Sequence, residues 1–317
     1  MIKMSNSTSN TSYYCWFCKT LTAPYINSRD YNRGVSESLY RYHKCQKCGV
    51  VTLINVPDDI GHYYACDYHA VPTDLAHLER RATHEQYKIE LVKQFVNHGK
   101  LLEIGPSWGA FCLLAKRAGF SVEAIERDLE CCEFLRSKIQ VRAILSEQEA
   151  AALDQTHTPN VIALWHVIEH MRDPRTLLKR AAEHLAPGGI LIIATPSPKA
   201  LQFRLFGRYW AHLDAPRHIN LIPAQVLCAQ LKEFGLNTLM CTTNDPGSIE
   251  CNVFGWRKSL SNLVSGSFLK HQVYYWGRLV ADIAGLIERR DGYGSAYTAV
   301  FVKPSKANDA QSSSLFK

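Results

Sequence analysis

The chain has 317 residues, 46% hydrophobic and 21% charged, with 12 Phe, 6 Trp and 15 Tyr. That length allows about two domains, and the composition excludes a mostly disordered, collagenous or fibrous protein. No apolar run reaches the length of a bilayer span, and a formal charge of +7 suits a soluble surface with some preference for acidic ligands without indicating nucleic acid binding.

Residues 1–12 are rich in Ser, Asn and Thr and carry no apolar signal core, so a disordered N-terminus and a cytoplasmic product are expected. Eleven cysteines without an export signal argue against a disulfide framework. Four of them form Cys15-x-x-Cys18 and Cys45-x-x-Cys48, with Gly49 after the second pair. A Cys-x-x-Cys turn aims two thiolates at one point, and two such turns supply the four soft ligands that zinc takes in a tetrahedron. Residues 13–56 are therefore read as a zinc-binding module, with a hairpin between Tyr25 and Tyr42 filling the 26-residue gap. Cys66, Cys112, Cys131, Cys132, Cys228, Cys241 and Cys251 lack such partners and are read as ordinary thiols.

Residues 57–98 form a helical connector containing Tyr63, Tyr64 and Tyr68. Then the period changes: Lys100–Ile104 is a short apolar strand, Ala110–Ala118 a helix closed by Gly119, and Ser121–Glu126 a second strand. A helix over Leu129–Lys138, a weak strand over Val141–Leu145 and a continuous apolar strand over Val161–Trp165 follow. Asp173-Pro174 starts a helix running to Leu185, and Pro187-Gly188-Gly189 stops it before the strand Ile190–Thr195. This alternation implies an α/β protein with a doubly wound parallel sheet. A helix over Pro223–Phe234 and strands over Asn237–Thr243 and Tyr297–Lys303 complete a domain of residues 99–304. Helical stretches at Trp256–Ser267 and Val273–Ile287 are expected to cover the sheet edge or line a pocket rather than lie on a membrane. Segments 196–222 and 244–296 are read as substrate-lid insertions and 305–317 as a disordered tail.

The turn after the first of these strands reads Glu103-Ile104-Gly105-Pro106-Ser107-Trp108-Gly109. Its small residues let a ligand sit against the backbone at a helix N-terminus. Glu126 lies 21 residues beyond Gly105, near the offset of about 20 at which a carboxylate meets ribose hydroxyls in nucleotide-binding βαβ units. The turn is not Gly-x-Gly-x-x-Gly, so an adenosyl ligand without phosphates fits better than a dinucleotide.

These segments together resemble the class I S-adenosylmethionine-dependent methyltransferases. Leu102 to Gly109 stands at their first motif, with Ser107 in place of the usual second glycine, and the resemblance extends through Ala124–Asp128, Leu164–His170 and Leu185–Pro196. Within that superfamily the chain is most similar to bacterial enzymes with an N-terminal Cys-x-x-Cys zinc module and a Trp-x5-Pro-x-His segment, here Trp210 to His218. The resemblance spans Cys15 to Pro304. It implies a Rossmann-like methyltransferase sheet with a small N-terminal zinc-ribbon module, S-adenosyl-L-methionine as cofactor and a structural zinc on Cys15, Cys18, Cys45 and Cys48. The implied partner is a small-molecule methyl acceptor, a sugar or natural-product intermediate, methylated on oxygen, with nitrogen or carbon as the alternative.

By the same resemblance Glu103 and Gly105 hold the amino acid end of the cofactor, with Ser107 and Gly109 in the close-packed turn. Glu126 holds its ribose, and Arg127 with Ser146 and Glu147 lies near its adenine. Trp165 and His166 form the floor under the sulfonium, and Tyr64 reaches in from the connector. A hydroxyl acceptor also needs a base, for which His218 stands first and His166 second, because imidazole titrates near neutrality; the alternative for each is a structural histidine bonded to a backbone carbonyl. Tyr209, Trp210, Asp214 and Arg217 are read as a substrate lid or as a packed loop, and Glu169 as a residue that fixes a loop.

Two other classes stay open. Gly105-Pro106-Ser107-Trp108-Gly109 also spells Gly-x-Ser-x-Gly, with Asp214 and His218 downstream in hydrolase order. An acyl hydrolase using Ser107 would need sheet strands before Lys100, where only the cysteine module and a helix stand. A zinc-ribbon nucleic-acid-binding adaptor could use Arg29, Arg33, Arg41, Lys44 and Lys47, but these lack a dense stripe with interleaved aromatics.

Overall fold

The computed structural model describes residues 12–64, 72, 74–290 and 292–305. The tails expected to be disordered fall outside this set except for Ser12 and Ser305, as do Cys66 and Tyr68. The N-terminal strands β1 (Thr22–Ser28), β2 (Tyr40–Cys45) and β3 (Val51–Leu53) pair antiparallel in turn, and β1 and β2 make the expected hairpin. Strand β2 alternates, burying Tyr40 and Tyr42 while exposing Arg41, which puts one face toward a core. The connector forms α1 (Leu75–Ala82) and α2 (Gln86–Lys93), with Asp74 capping α1 by accepting the His77 N–H at 2.7 Å.

The main layer then runs β4 (Lys100–Ile104), α3 (Ala110–Arg117), β5 (Ser121–Glu126), α4 (Leu129–Phe134), β6 (Arg142–Leu145), α5 (Glu149–Ala152), β7 (Val161–Trp165), α6 (Pro174–His184) and β8 (Ile190–Pro196). Strands β7 and β8 are buried along their whole length, as helices on both faces of a sheet require. Asp173 caps α6 by accepting the Thr176 N–H at 3.1 Å, with Pro174 at the first helical position. The chain continues through α7 (Leu201–Phe206), β9 (Asn220–Leu221), α8 (Ala224–Glu233), β10 (Asn237–Thr242), α9 (Pro246–Asn262), α10 (Ser267–Glu288) and β11 (Ala296–Val302).

Among the described residues the central sheet has 7 strands in the order β10-β11-β8-β7-β4-β5-β6. It is mixed, not wholly parallel as the alternation implied: β11 is antiparallel to both β8 and β10. After β10 the chain leaves through α9 and α10 and re-enters the sheet at the end it left, so its last strand runs reversed.

The two-residue β9 has no periodicity to betray it, yet it joins the N-terminal strands into a 4-stranded sheet by pairing Val51 with Leu221 and Thr52 with Asn220. Tyr40, Tyr42 and Leu53 share an apolar cluster with Phe203, Trp210 and Leu213. Cys15, Cys45 and Val50 pack into the main core beside Ile222 and Val226. The cysteine module is thereby built into the body of the protein.

The helices of the 244–296 segment are longer than the sequence suggested. Asp245 caps α9 by accepting the Ser248 N–H at 3.1 Å, and α9 lies against β11. Helix α10 packs on α9 instead of the sheet edge, with Gly277 so close that a Cβ would sit 2.6 Å from the Arg257 Cα. It buries only Gly277, Ala281 and Glu288 and leaves Trp276, Ile283 and Leu286 exposed. Among the described residues no helix is long and apolar enough to cross a membrane.

Candidate active site

From β4 the chain steps to β5 and β6 on one side, then crosses to β7 and β8 on the other. This reversal opens a crevice at the carboxyl ends of the strands, where open α/β sheets bind ligands. A cavity of about 1420 Å³ occupies it, more than the roughly 300–1,000 Å³ of a single small-molecule pocket. It has room for two ligands.

One wall is the turn after β4. Gly105 has φ +69°, and a Cβ there would sit 2.8 Å from Val167 Cγ2, so the position admits only glycine. Gly109 has φ +79° and faces Leu135 and Ile139 closely enough to exclude a side chain. Ser107 takes φ +53°, a left-handed conformation costing a non-glycine residue about 1–2 kcal/mol. Its N–H offsets this by donating to Glu126 Oε2 at 2.8 Å.

Glu126 is buried at the end of β5, and its Oε1 accepts the N–H groups of Arg127 at 2.8 Å and Asp128 at 3.0 Å. Burial pushes its pKa up against the pull of these amides. Burial also lifts Glu103, at the end of β4, to about 7, although the Cys112 thiol donates to it at 3.0 Å. Two buried carboxyls with spare lone pairs thus face the cavity. Trp165 closes the floor, with Lys88 Nζ 5.1 Å from its ring centroid and its indole N–H without a partner among the described residues. Tyr64, Arg127 and Glu147 line the cavity, and Arg127 pairs with Glu149 at 3.5 Å. Ser146 does not line it; its hydroxyl accepts the Gln148 N–H at 3.0 Å.

A cluster of imidazoles also lines the cavity. His166 adopts φ +57° directly after β7, and its Nδ1 lies 3.3 Å from Glu169 Oε1. Glu169 is fully buried and also accepts the Thr195 hydroxyl at 2.9 Å. Burial opposes charge on His166, but the Cys251 thiol 3.8 Å from its Nε2 and the Glu169 carboxylate raise its pKa to about 10. The pair is an imidazolium and a carboxylate. His170 is different: burial and the neighbouring His218 lower its pKa to about 4, so it is neutral.

His170 Nδ1 lies 3.0 Å from the Arg217 carbonyl oxygen and 2.9 Å from the Tyr64 hydroxyl. A carbonyl only accepts, so this nitrogen carries the proton. His218 is buried, and its Nδ1 donates to the His212 carbonyl at 2.7 Å by the same reasoning. In the neutral ring this makes Nε2 the acceptor.

The lid residues divide. Asp214 lines the cavity, but its carboxylate accepts from Arg217 Nε at 2.9 Å and Asn32 Nδ2 at 2.6 Å. Arg217 is fully buried between Asp214 and Asp30. Trp210 stacks on Phe203 at 4.8 Å inside the core, and Tyr209 packs on Tyr31 at 4.7 Å. Tyr209, Trp210 and Arg217 stand outside the cavity lining, so the packed-loop alternative describes them. Lys88, Cys251, Phe254, Lys258 and Tyr274 do line it. They stand on α2, α9 and α10; Lys258 and Tyr274 fall in the helical stretches expected to cover the sheet edge or line a pocket, while no motif marked Lys88, Cys251 or Phe254.

The four paired cysteines converge away from these groups. Cys15 and Cys48 Sγ are 3.5 Å apart, Cys18 and Cys45 3.4 Å, and Cys18 and Cys48 3.7 Å.

A family model for a methyltransferase domain matches residues 76–240, from α1 into β10. The chain belongs to this methyltransferase family. A ubiquinone biosynthesis O-methyltransferase of Xanthomonas oryzae pv. oryzae is 27% identical over 125 residues, 37% of this chain and 52% of that protein. One from Parvibaculum lavamentivorans is 32% identical over 132 residues, 39% of this chain and 51% of that one. The chain thus spans about half the length of the curated relatives it matches. Among solved structures, a candidate sarcosine dimethylglycine methyltransferase from Galdieria sulphuraria superposes with a TM-score of 0.50 at 16% identity, over 70% of this chain and 85% of that one. That likeness shows the fold. The methyltransferase domain includes the Gly105–Gly109 turn, Glu126 and the imidazole cluster, while the four cysteines lie before the matched span.

Proposed function

We propose that this protein transfers a methyl group from S-adenosylmethionine to an oxygen of a small molecule such as a sugar or natural-product intermediate. The observation that carries this reading is the placement of Glu126 beside the Gly105–Gly109 turn in a cavity with room for two ligands that is also lined by imidazoles. The names of the O-methyltransferase relatives support oxygen as the acceptor atom.

S-adenosylmethionine supplies an already activated methyl group, so the protein's task is alignment. Glu126 accepts three backbone N–H groups and keeps one acceptor site, on Oε2, for a ribose hydroxyl. Glu103 receives the ammonium of the amino acid end, and that cation restores the charge which burial suppresses. Gly105, Ser107 and Gly109 let the ligand approach the backbone, Arg127 and Glu147 flank the adenine with Ser146 behind them, and Trp165, His166 and Tyr64 enclose the transferring end. His218 offers the unprotonated Nε2 that a hydroxyl proton requires. His166, charged beside Glu169, donates a hydrogen bond to the acceptor instead of taking its proton.

The paired cysteines belong to the same reading as a structural zinc site. Zinc–sulfur bonds of about 2.3 Å put tetrahedral thiolates about 3.8 Å apart, and the observed 3.4, 3.5 and 3.7 Å approach that edge. A zinc held there braces β1 and β2 against the core around Ile222.

Incubation with methyl-tritiated S-adenosylmethionine and a panel of sugars, phenols and amines tests the acceptor. Label is expected on hydroxyl-bearing compounds, with S-adenosylhomocysteine formed in equal amount. Transfer to amines alone would overturn the oxygen assignment.

A further inference from the structure

A carboxylate oxygen of Glu169 and a ring nitrogen each from His170 and His218 lie within 4.8 Å of one another on the cavity wall. The protons nearby point elsewhere. His170 Nδ1–H is directed to the Arg217 carbonyl and His218 Nδ1–H to the His212 carbonyl, which makes Nε2 the acceptor nitrogen of each neutral ring. The two rings meet edge to face with centroids 4.7 Å apart. Glu169 already meets His166 and the Thr195 hydroxyl, and a buried carboxylate beside two imidazole acceptors has room for a further cation.

We propose that Glu169, His170 and His218 bind a divalent first-row transition-metal ion at the acceptor end of the cavity. Two imidazoles and one carboxylate with further positions open are a known set for such ions and a poor one for calcium or magnesium, which prefer all-oxygen surroundings. Bonds of about 2.0–2.2 Å place ligand atoms about 3–4 Å apart, so small rotations of the rings close the observed set on an ion. The supporting contacts also fit. Metal-binding histidines commonly donate their second ring N–H to a carbonyl, as both do here, and Thr195 holds the Glu169 carboxylate at 2.9 Å.

The role of the ion rests on the methyltransferase reading, although its binding does not. Open positions facing the cavity suit an acceptor with two neighbouring oxygens and favour loss of a hydroxyl proton to solvent. His218 then acts by holding the ion, not by taking the proton itself.

Cobalt(II) is the probe, added to the full-length protein after dialysis against a chelator. Thiolate sites give intense sulfur-to-cobalt charge transfer, whereas a site of two imidazoles and a carboxylate gives only weaker visible bands. Two equivalents per chain are expected, the second adding no charge-transfer intensity. His170→Ala and His218→Ala should each lose that second equivalent while keeping the thiolate signal, which reports that they are folded. A wild-type protein binding only the thiolate equivalent would overturn the proposal, and so would a second equivalent surviving in both variants; in the first case the cluster shares a proton. Binding of S-adenosylmethionine to the metal-free protein is measured alongside, so that loss of the ion site and loss of the cofactor reading are told apart.

Discussion

Arg217→Leu is expected to lower the unfolding free energy by about 3–5 kcal/mol, the cost of removing one partner from a buried ion pair. The guanidinium is fully buried, 2.6 Å from Asp30 Oδ1 and 2.8 Å from Asp214 Oδ1. It clamps the loop after β1 to the segment before β9, and its loss strands two carboxylates in the interior. The pH dependence has a definite sign. Asp214 is buried, which raises its pKa, but Arg217 more than reverses this and holds the carboxyl far below its ordinary value. Its contribution to stability is therefore complete above the unfolded pKa of about 3.9 and fades as the pH falls below it. In the variant the guanidinium no longer opposes burial and the Asn32 hydrogen bond remains, so protonation of Asp214 relieves part of the strain and the gap between variant and wild type narrows in mild acid. Denaturant unfolding at neutral and mildly acidic pH reads both effects. An unchanged midpoint would mean that Arg217 is free for substrate after all.

His218→Ala is expected to reduce turnover by about 10²–10⁴, the range for loss of a positioned acid–base group, with the affinity for S-adenosylmethionine unchanged. His218 sits at the acceptor end, and its Nε2 carries the lone pair whether it takes a proton or an ion. His166→Gln should act differently, because His166 is the charged partner of Glu169 and its pKa of about 10 keeps it protonated across the neutral range. Its loss moves the alkaline limb of the pH–rate profile. Undiminished turnover in His218→Ala would remove the residue from the chemistry and leave it as a buried histidine on the His212 carbonyl.

What the sequence disclosed follows from how local each signal is. Asp173-Pro174 makes a helix start from neighbouring residues, Cys15-x-x-Cys18 and Cys45-x-x-Cys48 make two thiolate turns, and Gly105 and Gly109 stand in a turn of small residues directly after an apolar strand. Each was legible because its cause lies within a few residues. The reversed β11 was not legible, since its direction depends on where α9 and α10 return the chain. The pairing of β9 with β3 joins residues 168 apart in sequence, Thr52 and Asn220, and two residues carry no period.

The lid shows the same limit from the other side. Trp210 and Arg217 look alike in sequence whether they meet a ligand or a neighbour, and only the positions of Phe203 and Asp30 decide it. Lys88 and Cys251 reach the cavity from helices whose packing determines which face turns inward. The imidazole cluster was half visible, as His166 and His218 stood out, but that His170 and Glu169 join them depends on the approach of the loop before β9 to the end of β7.

The account rests on an adenosyl ligand held by Glu126, and calorimetric titration of the purified protein with S-adenosylmethionine and S-adenosylhomocysteine tests it most directly. A hydrogen bond to a charged group contributes about 1.5–3 kcal/mol, so losing the ribose contact in Glu126→Ala should weaken binding by about 10–100-fold. Micromolar binding of both ligands at one per chain, weakened by that factor in the variant, is the predicted result. A folded protein that binds neither ligand, or a Glu126→Ala variant that binds both as wild type does, would contradict it.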